Sequence, residues 1–192
     1  MNFFFVQDFR KKYRYFSAEP LSVIQVKFSR FRKFWERAKK KLMLLPLKIL
    51  KQEQAFERTL KIEGNQIRIL HSGRMDEKKV RSKFYFFLQK QRTKHIILLV
   101  GESLILPISG IAALLPGPNI FFYVLALLVI IQWQALRGIN KLLKKDQLFI
   151  PDLSLKEWEA ALQNQEESTF LPLLEKIEKK HNVQNLNKIL WK

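Results

Sequence analysis

The chain has 192 residues, no cysteine and a formal net charge of +18 at pH 7. The lack of cysteine excludes disulfides, thiol nucleophiles and cysteine metal sites. His71, His95 and His181 share no metal-ligand spacing, and neither a glycine-rich phosphate loop nor a G-x-S-x-G motif is present. We therefore expect no catalytic residue, no cofactor and no metal, and an enzyme is not predicted.

The basic residues are concentrated in the first half of the chain. Residues 1–95 hold 25 of the 35 Lys and Arg residues, against 8 acidic residues. Residues 1–16 place a basic cluster after a short apolar run, which is the reverse of a secretory signal. A mitochondrial presequence is an alternative interpretation of this segment, which is aromatic-rich and poor in serine.

A basic amphipathic helix is predicted for residues 21–45, where apolar residues recur at intervals of three and four. Such a helix binds anionic lipid headgroups, with about 1 kcal/mol per basic residue, or packs its apolar stripe on the rest of the domain. Clustered basic and aromatic residues also permit RNA, and the ribosome in particular, as a partner. The candidate lipid- or RNA-binding residues are Lys27, Arg30, Arg32, Lys33, Arg37, Lys39, Lys40 and Lys41.

Two further helices are predicted before residue 95, at residues 47–60 and 76–94. Between them, alternating residues on both sides of Gly64 and Asn65 predict a short β-hairpin near residues 60–70. Residues 1–94 are expected to form a basic, helical domain on the cytoplasmic or matrix side of a membrane. The apolar positions of the predicted helix at residues 76–94 are Val80, Phe84, Phe87 and Leu88.

Residues 95–137 predict a transmembrane helical hairpin. The segments 96–115 and 119–136 would be about 30 Å and 27 Å long as helices, which is sufficient to span a bilayer. Basic residues at both outer ends predict that both termini lie on the cytoplasmic or matrix side. A hairpin buried within a soluble domain is the alternative. The residues of the turn are Pro116, Gly117, Pro118 and Asn119, of which the last is expected to cap the second helix.

Glu102 is the one charged residue between residues 96 and 136. A carboxyl group in an apolar segment is expected to handle protons or cations. The alternative is a protonated glutamic acid hydrogen-bonded to a neighbouring hydroxyl or backbone carbonyl. The ion- or proton-handling candidates are Glu102, Ser103 and Ser109.

Residues 138–192 are expected to form a small helical lobe. A capping box from Ser154 to Glu157 predicts the start of a helix that carries Leu155, Trp158 and Leu162 on one side. The predicted fold class is therefore a mainly α membrane protein, with a two-helix transmembrane hairpin, basic amphipathic helices and one short β-hairpin.

The stretch from Leu115 to Leu153 resembles the mitochondrial potassium–proton exchange-related family. The run LPGPNIFFY is similar to a P-x-P-N turn that leads into an apolar aromatic segment, and FIPDL is similar to a short proline-containing stretch downstream. Trp133, Ala135 and Gly138 match the W-x-A-x-x-G ending of that segment.

The resemblance implies an inner-membrane protein, bacterial or mitochondrial, in potassium and proton homeostasis. A single helix pair does not enclose an alternating-access path. We therefore expect an oligomer, or an accessory subunit of an exchanger that works with a partner membrane subunit. The alternative is a non-transporting, membrane-anchored scaffold whose basic domain binds anionic lipid, or the ribosome and its RNA.

Overall fold

A four-stranded mixed β-sheet organises the fold. The computed structural model describes residues 2–18, 47–60, 62, 66–111, 120–165 and 167–191. The strands are β1 (Asn2–Gln7), β2 (Tyr13–Ser17), β3 (Gln66–His71) and β4 (Asp146–Pro151), in the order β2-β1-β3-β4. The helices are α1 (Leu47–Leu60), α2 (Glu77–Ile111), α3 (Ile120–Lys144), α4 (Leu153–Asn164) and α5 (Glu167–His181), followed by a π-helical turn at Asn187–Trp191.

The β1–β2 hairpin begins the sheet, and its two strands are antiparallel. Its turn is closed by Asp8, whose Oδ1 accepts hydrogen bonds from the backbone N–H groups of Arg10 (3.0 Å) and Lys12 (2.9 Å). β3 lies parallel to β1 on one side and to β4 on the other. Because parallel partners need long crossover connections, α1 precedes β3, and α2 and α3 together separate β3 from β4.

The two faces of the sheet carry two separate cores, since successive side chains along a strand point to opposite faces. Phe3 and Phe5 face α1, α2 and α3, where they join Phe56, Phe84 and other buried residues. The intervening Phe4 packs instead with side chains of α4, α5 and the π-helical turn. Both faces of β1 are therefore covered, and its run of aromatic residues belongs to the core of the fold.

The structure contradicts the predicted transmembrane hairpin. Within the described part of the chain, no helix is long and apolar enough to cross a membrane, and the predicted orientation of the termini has no support. The described parts of the two segments, residues 96–111 and 120–136, are instead the distal parts of longer helices whose other parts pack on the sheet. The sheet-proximal part of α2 buries Phe84 and Leu88, and that of α3 buries Ile139 and Leu142.

The predicted β-hairpin near residues 60–70 is also wrong. Leu60 is the last residue of α1, and the strand that follows, β3, pairs with β1 and β4 rather than with a local partner. Its alternation of apolar residues was recognised correctly, but parallel pairing with distant segments leaves no local signal. The fold is thus a mixed α/β arrangement, in place of the predicted mainly α membrane class.

Three helix predictions are confirmed, and the first of these helices, α1, spans residues 47–60 as predicted. α2 begins at Glu77 and continues past residue 95 without a break, and its four predicted apolar positions are buried. In α4, Leu155, Trp158 and Leu162 are buried on one side as predicted. The cap of α4 differs, because Asp152 occupies the N-cap position and accepts hydrogen bonds from the N–H groups of Ser154 and Leu155.

The predicted basic helix at residues 21–45 and the turn at residues 116–119 lie outside the described residues. The division of the chain at residues 94 and 137 stays a prediction. α2 and α3 continue through these two positions.

Candidate functional site

His95 lies where α1, α2 and α3 meet, and its side chain is fully buried (0% exposed). Its Nδ1 is 2.5 Å from Oε1 of Gln132 on α3. Its Nε2 is 3.3 Å from Oε2 of Glu53 on α1, whose side chain is 15% exposed. One imidazole therefore contacts a carboxyl group from one helix and an amide from another.

The hydrogen-bond partners determine where the protons lie. Since Gln132 Oε1 only accepts, Nδ1 of His95 carries the proton, and the lone pair of Nε2 faces Glu53. Burial lowers the pKa of His95, and the hydrogen bond to Gln132 opposes this effect only in part. Burial raises the pKa of Glu53 to about 7, against the opposing charge of Lys94. Near neutral pH the pair therefore consists of a neutral imidazole and a carboxyl group that gains or loses its proton.

Gln132 connects this pair to Glu102. Its amide hydrogen-bonds the Glu102 side chain, while burial, the larger effect, raises the pKa of that carboxyl group. Gln132 therefore accepts from His95 through its oxygen and donates to Glu102 through its nitrogen. We call these four residues, Glu53, His95, Gln132 and Glu102, the helix-junction cluster.

The cluster can bind and release a proton near neutral pH. Glu53 and His95 have the geometry and the protonation states for this exchange. A glutamine amide orients its neighbours but has no proton to exchange in this pH range, so Gln132 holds the pair in place and does not relay protons to Glu102. Among the described residues, no group of three or more acidic, histidine or cysteine side chains is placed to hold a metal ion.

The other buried carboxylates described are engaged by structural donors. Glu159 accepts from the backbone N–H of Gln7 (3.1 Å) and the hydroxyl of Ser72 (2.6 Å). Asp152 caps α4 and pairs with Lys180 at 2.7 Å. By contrast, Oε2 of Glu53 and Oε2 of Glu102 are buried, and neither has a hydrogen-bond partner among the described residues. Among the described residues, the buried carboxyl oxygens without a hydrogen-bond partner both belong to the helix-junction cluster, which is therefore the candidate site.

The structure does not place the three predicted proton-handling residues in one site. Glu102 is half-buried and belongs to the cluster, whereas Ser103 is exposed. Ser109 lies within α2, and its side chain is outside the described part. The role of Glu102 in proton handling stays a prediction. The basic candidates, Lys27, Arg30, Arg32, Lys33, Arg37, Lys39, Lys40 and Lys41, and the turn residues, Pro116, Gly117, Pro118 and Asn119, all lie outside the described residues.

The W-x-A-x-x-G motif forms the contact between α3 and α1. Ala135 is buried, and a Cβ atom placed on Gly138 would lie 1.9 Å from the carbonyl oxygen of Phe56. Only glycine permits this approach of the two backbones. Trp133 points elsewhere and is 53% exposed. Gly138 therefore brings α3 close to α1, next to the candidate site, and Ala135 is buried in the same core.

Sequence reasoning missed Glu53, His95 and Gln132 as site residues. The available signal was position, because Glu53 lies between the apolar residues Ile49 and Phe56 at intervals of four and three, on the apolar side of its helix. Gln132 likewise interrupts an apolar helix. No sequence pattern indicates that Glu53 and Gln132 contact His95, since the three residues come from three separate helices.

The sheet and the helix junction define a mixed α/β protein with a buried carboxyl–imidazole pair. Residues 12–145, more than two thirds of the chain, match the model of the mitochondrial K+-H+ exchange-related family. The chain belongs to this family, as the resemblance in residues 115–153 predicted, and the family's description links its members to mitochondria and to potassium–proton exchange. No curated protein and no solved structure is significantly similar to it.

Proposed function

We propose that this protein is a proton-responsive accessory component of mitochondrial potassium–proton exchange. The observation that carries the proposal is the buried contact between Glu53 and His95, where burial raises the pKa of Glu53 to about 7. Family membership supports the connection with potassium and protons. No catalytic chemistry is part of the proposal.

The accessory role follows from the number of helices around the site. Exchange by alternating access uses repeated sets of helices around a central binding site. The helix-junction cluster is instead formed by four side chains, one from α1, two from α2 and one from α3. The ion path is therefore assigned to a partner membrane subunit.

Proton binding would change the contact between α1 and the other two helices. When Glu53 is protonated, its carboxyl group can donate to Nε2 of His95, and the buried contact is neutral. When Glu53 loses its proton, a buried negative charge faces the imidazole lone pair, which is unfavourable. A rise in pH thus weakens the junction and can be sensed by a protein bound to these helices.

The test uses mitochondria from cells that lack the protein and are complemented with full-length variants. Matrix pH is followed with an internal dye after external potassium is raised, at several pH values. We expect the wild type to restore potassium-dependent proton movement. Glu53→Gln keeps the size of the side chain but does not titrate, so the movement should lose its dependence on pH near 7. Glu175→Gln, an exposed position on α5, is the matched control and should behave like the wild type.

Two results would reject the proposal. Potassium-dependent proton movement that is the same with and without the protein would exclude any role in exchange. The same movement in proteoliposomes that contain only this protein would show that it is the exchanger and not an accessory component.

A further inference from the structure

The helix pair exposes apolar side chains beyond His95, on the side away from the sheet. On α2, Ile97 is 66% exposed, Val100 53% and Leu104 68%. On α3, Ile130 and Trp133 are also exposed. Exposed apolar patches of this kind mark interaction surfaces. We call the group the apolar end, and its members are Ile96, Ile97, Leu98, Val100, Leu104, Ile105, Ile130 and Trp133.

The exposed residues of α2 cover a wide part of the helix surface. At 3.6 residues per turn, the six residues between positions 96 and 105 spread over an arc of about 200°. A helix that packs on one protein surface presents an apolar stripe about 100° wide. The opposite side of α2, which carries His95 and Glu102, faces α3. A surrounding apolar medium covers such an arc better than a groove on a single partner.

Exposed cations lie immediately next to the apolar end. Lys90, Arg92 and Lys94 precede it on α2, and Arg137 follows Trp133 by about one turn on α3. Since His95 contacts Gln132, these positions lie at a similar level along the two antiparallel helices. An apolar end bordered by cations and a tryptophan is complementary to an anionic lipid leaflet.

We infer that the apolar end inserts into an anionic lipid bilayer from one face, while the basic residues contact the headgroups. The inference concerns binding to one face of a bilayer. It does not depend on the proposed role in exchange.

The first test measures insertion with a fluorescent probe. Because the chain has no cysteine, Leu104→Cys and Lys78→Cys each provide one labelling position for an environment-sensitive dye. With phosphatidylcholine vesicles that contain phosphatidylglycerol, the dye at position 104 should shift to shorter wavelength and be quenched by lipids that carry a quencher in the acyl chain. The dye at the exposed position 78 should show neither effect. Equal responses at both positions would overturn the inference.

The second test measures the charge contribution by vesicle flotation. Lys90→Gln combined with Arg92→Gln should weaken binding to the anionic vesicles about thirtyfold, because each basic residue near the surface contributes about fivefold. Lys78→Gln combined with Lys79→Gln removes the same charge from the other end of α2 and should have little effect. The same loss in both pairs, equal binding to pure phosphatidylcholine, or binding to RNA without binding to vesicles would contradict the inference.

Discussion

At the scale of single residues, Gly138 sets the distance between α1 and α3. Gly138→Ala places a methyl group 1.9 Å from the carbonyl oxygen of Phe56, so the helices must separate. We expect the free energy of unfolding to fall by about 1–3 kcal/mol, as in other overpacked cores, measured by denaturant titration.

Gly101→Ala is the matched control, since no atom beyond its chain neighbours and the backbone of its own helix lies within 4 Å of the added carbon. This change should be neutral or stabilise the helix by up to about 1 kcal/mol. If both alanine variants unfold with the same free energy, the close contact at Gly138 does not exist in solution.

Glu53 makes stability depend on pH in a defined direction. Its pKa in the folded protein, about 7, is above its ordinary value of 4.5, so the folded state binds this proton more tightly than the unfolded state. The contribution to stability is complete below about pH 4.5 and is lost as the pH rises through 7. Glu53→Gln should therefore gain stability relative to the wild type between pH 5 and pH 8.

The expected gain is on the order of 2–3 kcal/mol, because one pKa unit corresponds to about 1.4 kcal/mol. The lowered pKa of His95 acts in the opposite direction in both proteins, so the difference between variant and wild type is the informative quantity. A difference that stays constant with pH would show that Glu53 does not titrate in this range.

At the scale of elements, Lys141 joins the end of α1 to α3. Its Nζ donates to the carbonyl oxygens of Leu60 (2.6 Å) and Ile62 (2.8 Å), where the C-terminus of a helix is partially negative. Lys141→Met keeps the apolar part of the side chain but removes these bonds, and should cost about 1.5–3 kcal/mol of stability.

Thermal unfolding measures this cost, and Lys144→Met on the exposed side of α3 is the control for charge. Equal melting temperatures for the two variants would mean that Lys141 does not hold α1 in place.

Local patterns predicted some elements and not others. The helical periodicity of α2, with Val80, Phe84, Phe87 and Leu88, was sufficient because its apolar side is repeated over several turns. The apolar run in β1 was not recognised as a strand, because a strand covered on both faces shows no alternation.

At the scale of the whole molecule, the sheet could not be assembled from the sequence because its parallel pairs join residues about 66 and 80 positions apart. Glu102 was identified from its unusual surroundings in the sequence. Its neighbours in the site were not identified, because they are brought together only by the fold. The long apolar stretch was interpreted as membrane-spanning because hydropathy alone does not show that its two helices extend beyond it and pack their other ends on a sheet. Membership of the family, in contrast, was recognised from a short motif, and the match over residues 12–145 confirms it.

The central claim is that the junction of three helices holds a proton on Glu53 near neutral pH. NMR of protein labelled with 13C at the glutamate carboxyl groups measures this directly, and Glu53→Gln identifies the resonance by its loss. We predict a titration midpoint near pH 7 for Glu53. A midpoint near its ordinary value of 4.5 would contradict the account.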